Sequence, residues 1–382
     1  MTEAAIHHSN EAIIGDRVEL QLLTTLKCNL KCTYCSLGVG EVLGSQTEVR
    51  YDIEQLAAFI DRQLAGKEIY VTFYGGEPTL NVAMMTSVMK RFPQFRYQLQ
   101  TNGTLLDGLP EWMLARFSNI LVSIDGGEQI TDGYRGRGIW RQVIRNLDKV
   151  HARVGGTITA RVTWGNPETS FEELDELATA VEAFDYLYWQ FVADRMYDGD
   201  SVDRRKAVLV RLIEKFFSRS DELYPLIPIM GIVRNKLLPN RGRELYGGLS
   251  QCRASSHLLN VMPDGSIFPC PDMMYVAEMK MGEIQGNWLK RSPLQPTAAM
   301  PCGDCEALSW CRRNCMKNLH LGYVGNDLDY RRQVVEPICE LIRFMGREID
   351  RHDPLAWYSN LSLPVRKRLV DAEIYEYVEV LP

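Results

Sequence analysis

Apolar and polar positions alternate along Val18–Leu23, as in a strand with one buried face. Strand-like runs recur at Ile69–Phe73, Tyr97–Gln100, Ile120–Ile124, Thr157–Val162 and Tyr186–Val192. Asp52–Leu64 instead repeats its apolar residues at helical spacing, and helical stretches follow near 80–91, 110–117, 139–151 and 170–182. Asp52 and Ser170 are suited to cap helices, and Glu173, three residues after Ser170, completes a capping box. Strands alternating with helices predict a parallel sheet joined by crossover helices. Six units are too few to close an eight-stranded barrel. The expected fold class is therefore α/β, a partial, open (β/α)6 barrel.

Beyond about residue 200 the pattern changes. A helix is expected over 203–219, then a connector containing Pro225, Pro228, Pro239, Arg241, Gly242, Gly247 and Gly248. Turn residues then become dense, at Pro263-Asp264-Gly265, Pro269, Pro271, Pro293, Pro296 and Pro301. Such a composition suits a small domain organised around metal rather than a large apolar core. The expected domains are the barrel with its connector helix (1–245), a cysteine-rich unit (246–345) and a short helical tail (346–382).

Composition narrows the classes. The 382 residues are 46% hydrophobic and 24% charged, which excludes disordered and low-complexity chains. A net charge of −6 gives no general attraction to nucleic acid. No apolar run approaches the roughly 18 residues of a membrane helix, and the first 15 residues lack a signal-peptide core. No membrane association is expected, and the expected location is cytoplasmic. The ten cysteines change the picture most, because none lies between Cys35 and Cys252. Buried thiols acting as small hydrophobes would scatter, and a disulfide framework fits a large chain without an export signal poorly. Metal binding remains.

Cys28, Cys32 and Cys35 form a C-x3-C-x2-C triple just after the first strand. Three thiolates on a four-iron cubane leave one iron open to a small molecule. A zinc knuckle is the alternative, although structural zinc usually takes four ligands from paired C-x2-4-C units. The later strands end in Tyr74-Gly75-Gly76-Glu77-Pro78, Gln100-Thr101-Asn102-Gly103 and Ser123-Ile124-Asp125-Gly126. These loops share the rim where parallel barrels bind ligands, and glycines there permit close backbone approach. Glu77, Ser123 and Asp125 offer acceptors for an amine and sugar hydroxyls, and Arg135 offers a fork for a carboxylate. Those are the polar handles of S-adenosylmethionine (SAM).

In these motifs the sequence resembles the radical SAM superfamily. The resemblance implies a [4Fe–4S] cluster on Cys28, Cys32 and Cys35 whose free iron binds the methionyl amine and carboxylate of SAM. It places Tyr34 at the adenine, Gly75, Gly76 and Glu77 toward the amine, Ser123 and Asp125 at the ribose and Arg135 at the carboxylate. Gln190 and Val192 are the matching positions on the sixth strand.

The later cysteines resemble the SPASM extension of peptide- and protein-modifying radical SAM enzymes. The carrying pattern is Cys252, Gly265-x4-Cys270, Cys302-x2-Cys305-x5-Cys311-x3-Cys315 and Cys339. The resemblance implies two auxiliary [4Fe–4S] clusters, one on Cys302, Cys305, Cys311 and Cys339 and one on Cys252, Cys270 and Cys315. The latter would have its last iron open or held by substrate or a non-cysteine ligand. Paired zinc ribbons are the alternative.

Low-potential clusters can reduce a sulfonium, giving a 5′-deoxyadenosyl radical that abstracts hydrogen from a substrate. The expected function is peptide or protein maturation by an oxidoreductase of this kind. A small-molecule radical SAM oxidoreductase and a non-catalytic metal-binding module are the alternatives. Anaerobic sulfatase maturases, more distant relatives, carry an acidic base directly after the cysteine equivalent to Cys270. Here that position is Pro271, and Asp272, one later, is the candidate base, with a turn aspartate as its other reading. Only about 17 residues precede the first strand, so a leader peptide would be read by a separate leader-binding protein or by the rim. Lys290, Arg291, Arg312, Arg313 and Lys317 are expected to dock an acidic electron donor, a flavodoxin or ferredoxin.

Overall fold

The computed structural model describes residues 16–35, 47–193, 197–239 and 250–378. The expected boundary near 245, with Arg241, Gly242, Gly247 and Gly248 of the connector, lies outside the described residues.

The six strands form where alternation placed them: β1 Arg17–Thr25, β2 Glu68–Gly75, β3 Arg96–Thr101, β4 Phe117–Ser123, β5 Thr157–Trp164 and β6 Tyr186–Phe191. Each pairs in parallel with the next. The helices between them are α1 Ile53–Gln63, α2 Val82–Arg91, α3 Glu111–Leu114, α4 Glu128–Arg135, α5 Ile139–Val150 and α6 Phe171–Thr179. They lay apolar faces on the sheet. In α1 the buried residues are Leu56, Ala57, Phe59 and Ile60, a helical stripe. Both expected N-caps are present: Gln55 N–H donates to Asp52 at 2.8 Å and Glu173 N–H to Ser170 at 3.2 Å, each completed by the reciprocal bond. The stretch near 110–117 keeps only a single turn, because β4 starts at Phe117.

α7 (Gly199–Ser218) follows as expected, but the connector holds a further helix, α8 (Ile227–Leu237). Pro228 occupies its first turn, where a missing N–H costs nothing. The cysteine-rich region then joins the same sheet. β7 (Leu258–Val261) pairs in parallel with β1, and β8 (Ser266–Phe268) and β9 (Gly282–Glu283) add antiparallel strands. The strand order is β6-β5-β4-β3-β2-β1-β7-β8-β9.

From Pro301 to Cys315 regular structure breaks into single turns; Met316–Val324 is then a short helix, and Leu328–Val335 runs unbroken into α9 (Glu336–Asp350), which packs on α7. The tail supplies α10 (Pro354–Asn360), α11 (Leu363–Asp371) and a last turn at Glu373–Glu376. That turn sits beneath the N-terminal ends of the strands. Arg96 pairs with Glu373 at 3.1 Å, Arg17 with Glu376 at 3.0 Å, and Gln98 donates to the Tyr377 carbonyl at 3.2 Å. It forms the floor of the barrel, opposite the rim that carries the motif loops.

Candidate active site

The cysteine triple leaves β1 and is clamped by the loop after β2. Gly76 N–H donates to Thr25 O at 2.9 Å and Glu77 N–H to Lys27 O at 2.8 Å. A Cβ on Gly75 would lie 2.2 Å from Thr25 O, and one on Gly76 would lie 2.3 Å from Lys27 O. Gly75 also has φ +132, which disfavours any side chain. The close approach made by these glycines is thus to the cysteine loop itself.

Glu77 is fully buried and does not line the cavity described below. Its carboxylate accepts from Thr79 N–H (3.0 Å), Thr79 Oγ1 (2.6 Å), Thr101 Oγ1 (2.7 Å) and Asn102 N–H (2.7 Å). Burial pushes its carboxyl pKa up, opposed by those bonds. Glu77 thereby ties the β2 loop to the β3 loop. Asn102 in turn reaches Asn29 Oδ1 at 2.8 Å and Cys28 Sγ at 3.8 Å, and Leu30 N–H donates to Cys28 Sγ at 3.4 Å.

Asp125 is also withdrawn from the cavity. It grips Arg135 bidentately, Oδ2 to Nε at 2.7 Å and Oδ1 to Nη2 at 2.9 Å. It also accepts from the Tyr34 hydroxyl at 2.9 Å and Thr163 N–H at 3.2 Å. Arg135 bonds Tyr34 Oη as well. Burial works against the Arg135 charge, but Asp125 and Tyr34 more than offset it, so its pKa is raised. Burial raises the Tyr34 pKa too. This locked trio fixes the inner face of the cysteine loop, and Thr33 N–H adds a bond to Tyr134 O at 3.0 Å.

A cavity of about 300 Å³ opens at the strands' C-terminal ends. Of the sequence-predicted residues it brings together Cys28, Cys32, Cys35, Tyr34, Gly75, Gly76, Ser123, Arg135, Gln190, Val192 and Asp272. Asn102, Arg161, Thr163 and Lys317 share the wall without having been singled out for it. Thr101-Asn102-Gly103 was visible as a strand-end loop. Arg161 carried no such signal, because a charge in an alternating strand reads as solvent-facing.

Two further cavities divide the remaining cysteines. One of about 440 Å³ is bordered by Cys302, Cys305, Cys311 and Cys339, among apolar neighbours such as Leu308, Ile338 and Ile342. The other, about 130 Å³ and inside the barrel, is bordered by Cys252, Cys270 and Cys315. Cys315 borders all three cavities.

None of the ten cysteines is in a disulfide. Burial raises the thiol pKa at Cys28, Cys32, Cys270, Cys302 and Cys339 and pushes Cys311 up to about 12; at Cys32 the Arg135 charge opposes it. Such thiols ionise readily only with a cation at the sulfur, and a metal supplies that charge. Among the described residues no three His, Cys, Asp or Glu side chains converge closely enough to hold a single metal ion. The thiols stand on the rims of voids instead. Soft sulfur donors around a void, with N–H groups aimed at Cys28 sulfur, fit an iron–sulfur cluster.

Asp272 lies in the wall shared by the first and third cavities, with Lys317 Nζ 3.2 Å from its carboxylate. Burial alone would lower the Lys317 pKa, but Asp272 and Cys315 raise it. The expected donor-docking patch is therefore dispersed. Lys317 is an inner-wall residue, and Arg312 is buried with a bond to Pro239 O at 2.7 Å, whereas Lys290 and Arg291 are exposed. No helix among the described residues is long and apolar enough to cross a membrane.

Residues 22–181 match the sequence profile of the radical SAM superfamily. A cysteine-type anaerobic sulfatase-maturating enzyme of Clostridium novyi is 22% identical over 342 residues, covering 76% of this chain and 85% of that one. The solved structure of a histidine-tagged anSMEcpe with bound AdoMet is 18% identical, with a TM-score of 0.67 over 95% of this chain and 100% of that one. Streptococcus suis SuiB bound to precursor peptide SuiA is 17% identical, with a TM-score of 0.58 over 82% and 75%. At these identities the two structures show the fold, a partial barrel followed by a cysteine-rich region and a helical tail.

Proposed function

The chain carries a radical SAM domain, and from that premise we propose that it is a peptide-modifying enzyme with three iron–sulfur clusters. The observation that carries this reading is the sorting of ten cysteines around three cavities, bordered by four, five and three thiols with Cys315 common to all of them. Cys28, Cys32 and Cys35 hold the SAM-binding cluster. Cys302, Cys305, Cys311 and Cys339 hold one auxiliary cluster, and Cys252, Cys270 and Cys315 the other. When bound, these groups supply one-electron cleavage of SAM and a radical able to take hydrogen from a C–H bond.

The chain's own residues do the rest. N–H groups of Leu30 and Asn102 stabilise charge on Cys28 sulfur. Gly75 and Gly76 let the β2 loop hold the triple against the void, and Glu77 braces that loop from behind. Asp125 holds Arg135 and Tyr34 in fixed orientation at the cavity wall, beside Ser123, Gln190 and Val192. Asp272 is assigned as the base that accepts a substrate proton on its carboxylate, oriented by Lys317. The likeness to a sulfatase maturase and to a structure holding a precursor peptide supports a peptide substrate.

The test is anaerobic reconstitution with iron and sulfide. The expected protein is brown, forms 5′-deoxyadenosine from SAM with a strong reductant, and changes the mass of a small peptide co-expressed from a neighbouring gene. A colourless zinc protein that leaves SAM intact would falsify the enzyme reading. An unmodified peptide beside active SAM cleavage would count against that peptide as substrate.

A further inference from the structure

Among the described residues, four cations line the cavities inside the barrel, and three of them have their counter-charge. Arg135 has Asp125 at 2.7 Å, Lys317 has Asp272 at 3.2 Å and Arg253 has Glu19 at 3.1 Å. Arg161 is the fourth. On β5, Thr157 and Thr159 below it donate to Asn119 at 3.1 and 3.0 Å, and Thr163 above it donates its N–H to Asp125. The same inward row of the strand puts Arg161 in the wall between the first cavity and the deeper one bordered by Cys252, Cys270 and Cys315. Among the described residues its guanidinium makes one hydrogen bond, to the neutral Gln190 Oε1 at 2.6 Å, and no ion pair.

A half-buried guanidinium held at one end and lacking a counter-ion is a ready fork for a carboxylate. We propose that Arg161 receives a carboxylate of the peptide substrate, an Asp or Glu side chain or a free C-terminus, and so selects acidic peptides. This rests on the peptide reading above. Position favours the substrate over the cofactor as the source. Arg161 borders the deeper cavity with Cys270 and Asp272 as well as the first, whereas Arg135 borders only the first and is locked to Asp125 and Tyr34 beside the triple. Gln190 fixes the plane of the fork, so the bound carboxylate is oriented as well as attracted.

The test uses the full chain reconstituted anaerobically, with SAM present. The probe is a synthetic peptide library with one position varied among Asp, Glu, Asn and Gln and with acid or amide C-termini. Retention on immobilised wild-type, Arg161→Gln and Arg161→Lys proteins is read by mass spectrometry, with iron content measured for each. Wild type should favour acids over their amides by about tenfold, the Gln variant should lose that preference and the Lys variant should keep part of it. Equal retention of acids and amides by wild type, or an acid preference that survives Arg161→Gln, overturns the proposal. If the Gln variant fails to load iron, the wild-type ratio and the Lys variant decide. Equilibrium dialysis with SAM and decarboxylated SAM separates the sources: if Arg161→Gln weakens only SAM, the fork serves the cofactor and the assignment is wrong. Retention of no peptide by wild type removes the peptide reading itself.

Discussion

The rim of the barrel and the segment from Pro301 to Cys315 both surround a void with thiols, yet they are built by different means. At the rim, Glu77 is hydrogen-bonded to Asn102, and Asp125 to Arg135, by side chains of the barrel itself. In the later segment the elements are single turns, and the second cavity is walled by five cysteines among both apolar side chains, such as Leu308 and Ile342, and charged ones, such as Arg313 and Arg343. If the thiols hold clusters as proposed, the first region shapes its site through its own side chains, and the second leaves more of its shape to the metal, as in small domains whose binding energy is folding energy.

Metal removal probes that contrast most strongly. After chelation, amide exchange across the segment from Pro301 to Cys315 should rise toward the unfolded rate, whereas β1–β6 keep their protection. Equal loss of protection in both regions would erase the distinction. Replacing Cys28, Cys32 or Cys35 with Ala should drop SAM cleavage to background while leaving the metal-free barrel as stable as wild type, read by 5′-deoxyadenosine yield and by denaturant midpoint.

Glu77→Ala should act on the scaffold instead. Four donors lose one buried carboxylate, so the metal-free protein should lose about 3–5 kcal/mol in denaturant unfolding. A loss under about 1 kcal/mol would show that the loops hold without it. Gly76→Ala must move the β2 loop off Lys27 O, and a shift of that kind should lower SAM cleavage about a hundredfold with iron content unchanged. The mildest change is Asp125→Asn. It keeps the shape and removes the charge that balances Arg135, so the apparent Kd for SAM should rise about tenfold, measured by equilibrium dialysis.

The six barrel strands were legible because each keeps a buried outer face, and the motif loops because Gly, Asn and Asp punctuate strand ends. Three things were not legible. α8 is buried from Ile227 to Asn235, so its apolar residues show no helical period, and Pro225, Pro228 and Pro239 around it read as a connector. β7 is a four-residue apolar run, and β8 and β9 are shorter still, too brief for alternation to register. At the site, Glu77 and Asp125 stand in the motif loops, but nothing in those motifs says that their carboxylates brace Thr101 and Arg135. Arg161 failed for the opposite reason. Inside this barrel the inward row is polar, which inverts the rule that charged strand positions face water.

The floor made by Glu373–Glu376 and Tyr377 joins residues separated by 277 positions along the chain, as in the Arg96–Glu373 pair. A ribosome must therefore deliver nearly all of that intervening polypeptide before the underside of the barrel can shut. Until it arrives, Arg96, Arg17 and Gln98 lack the partners that this stretch gives them from below.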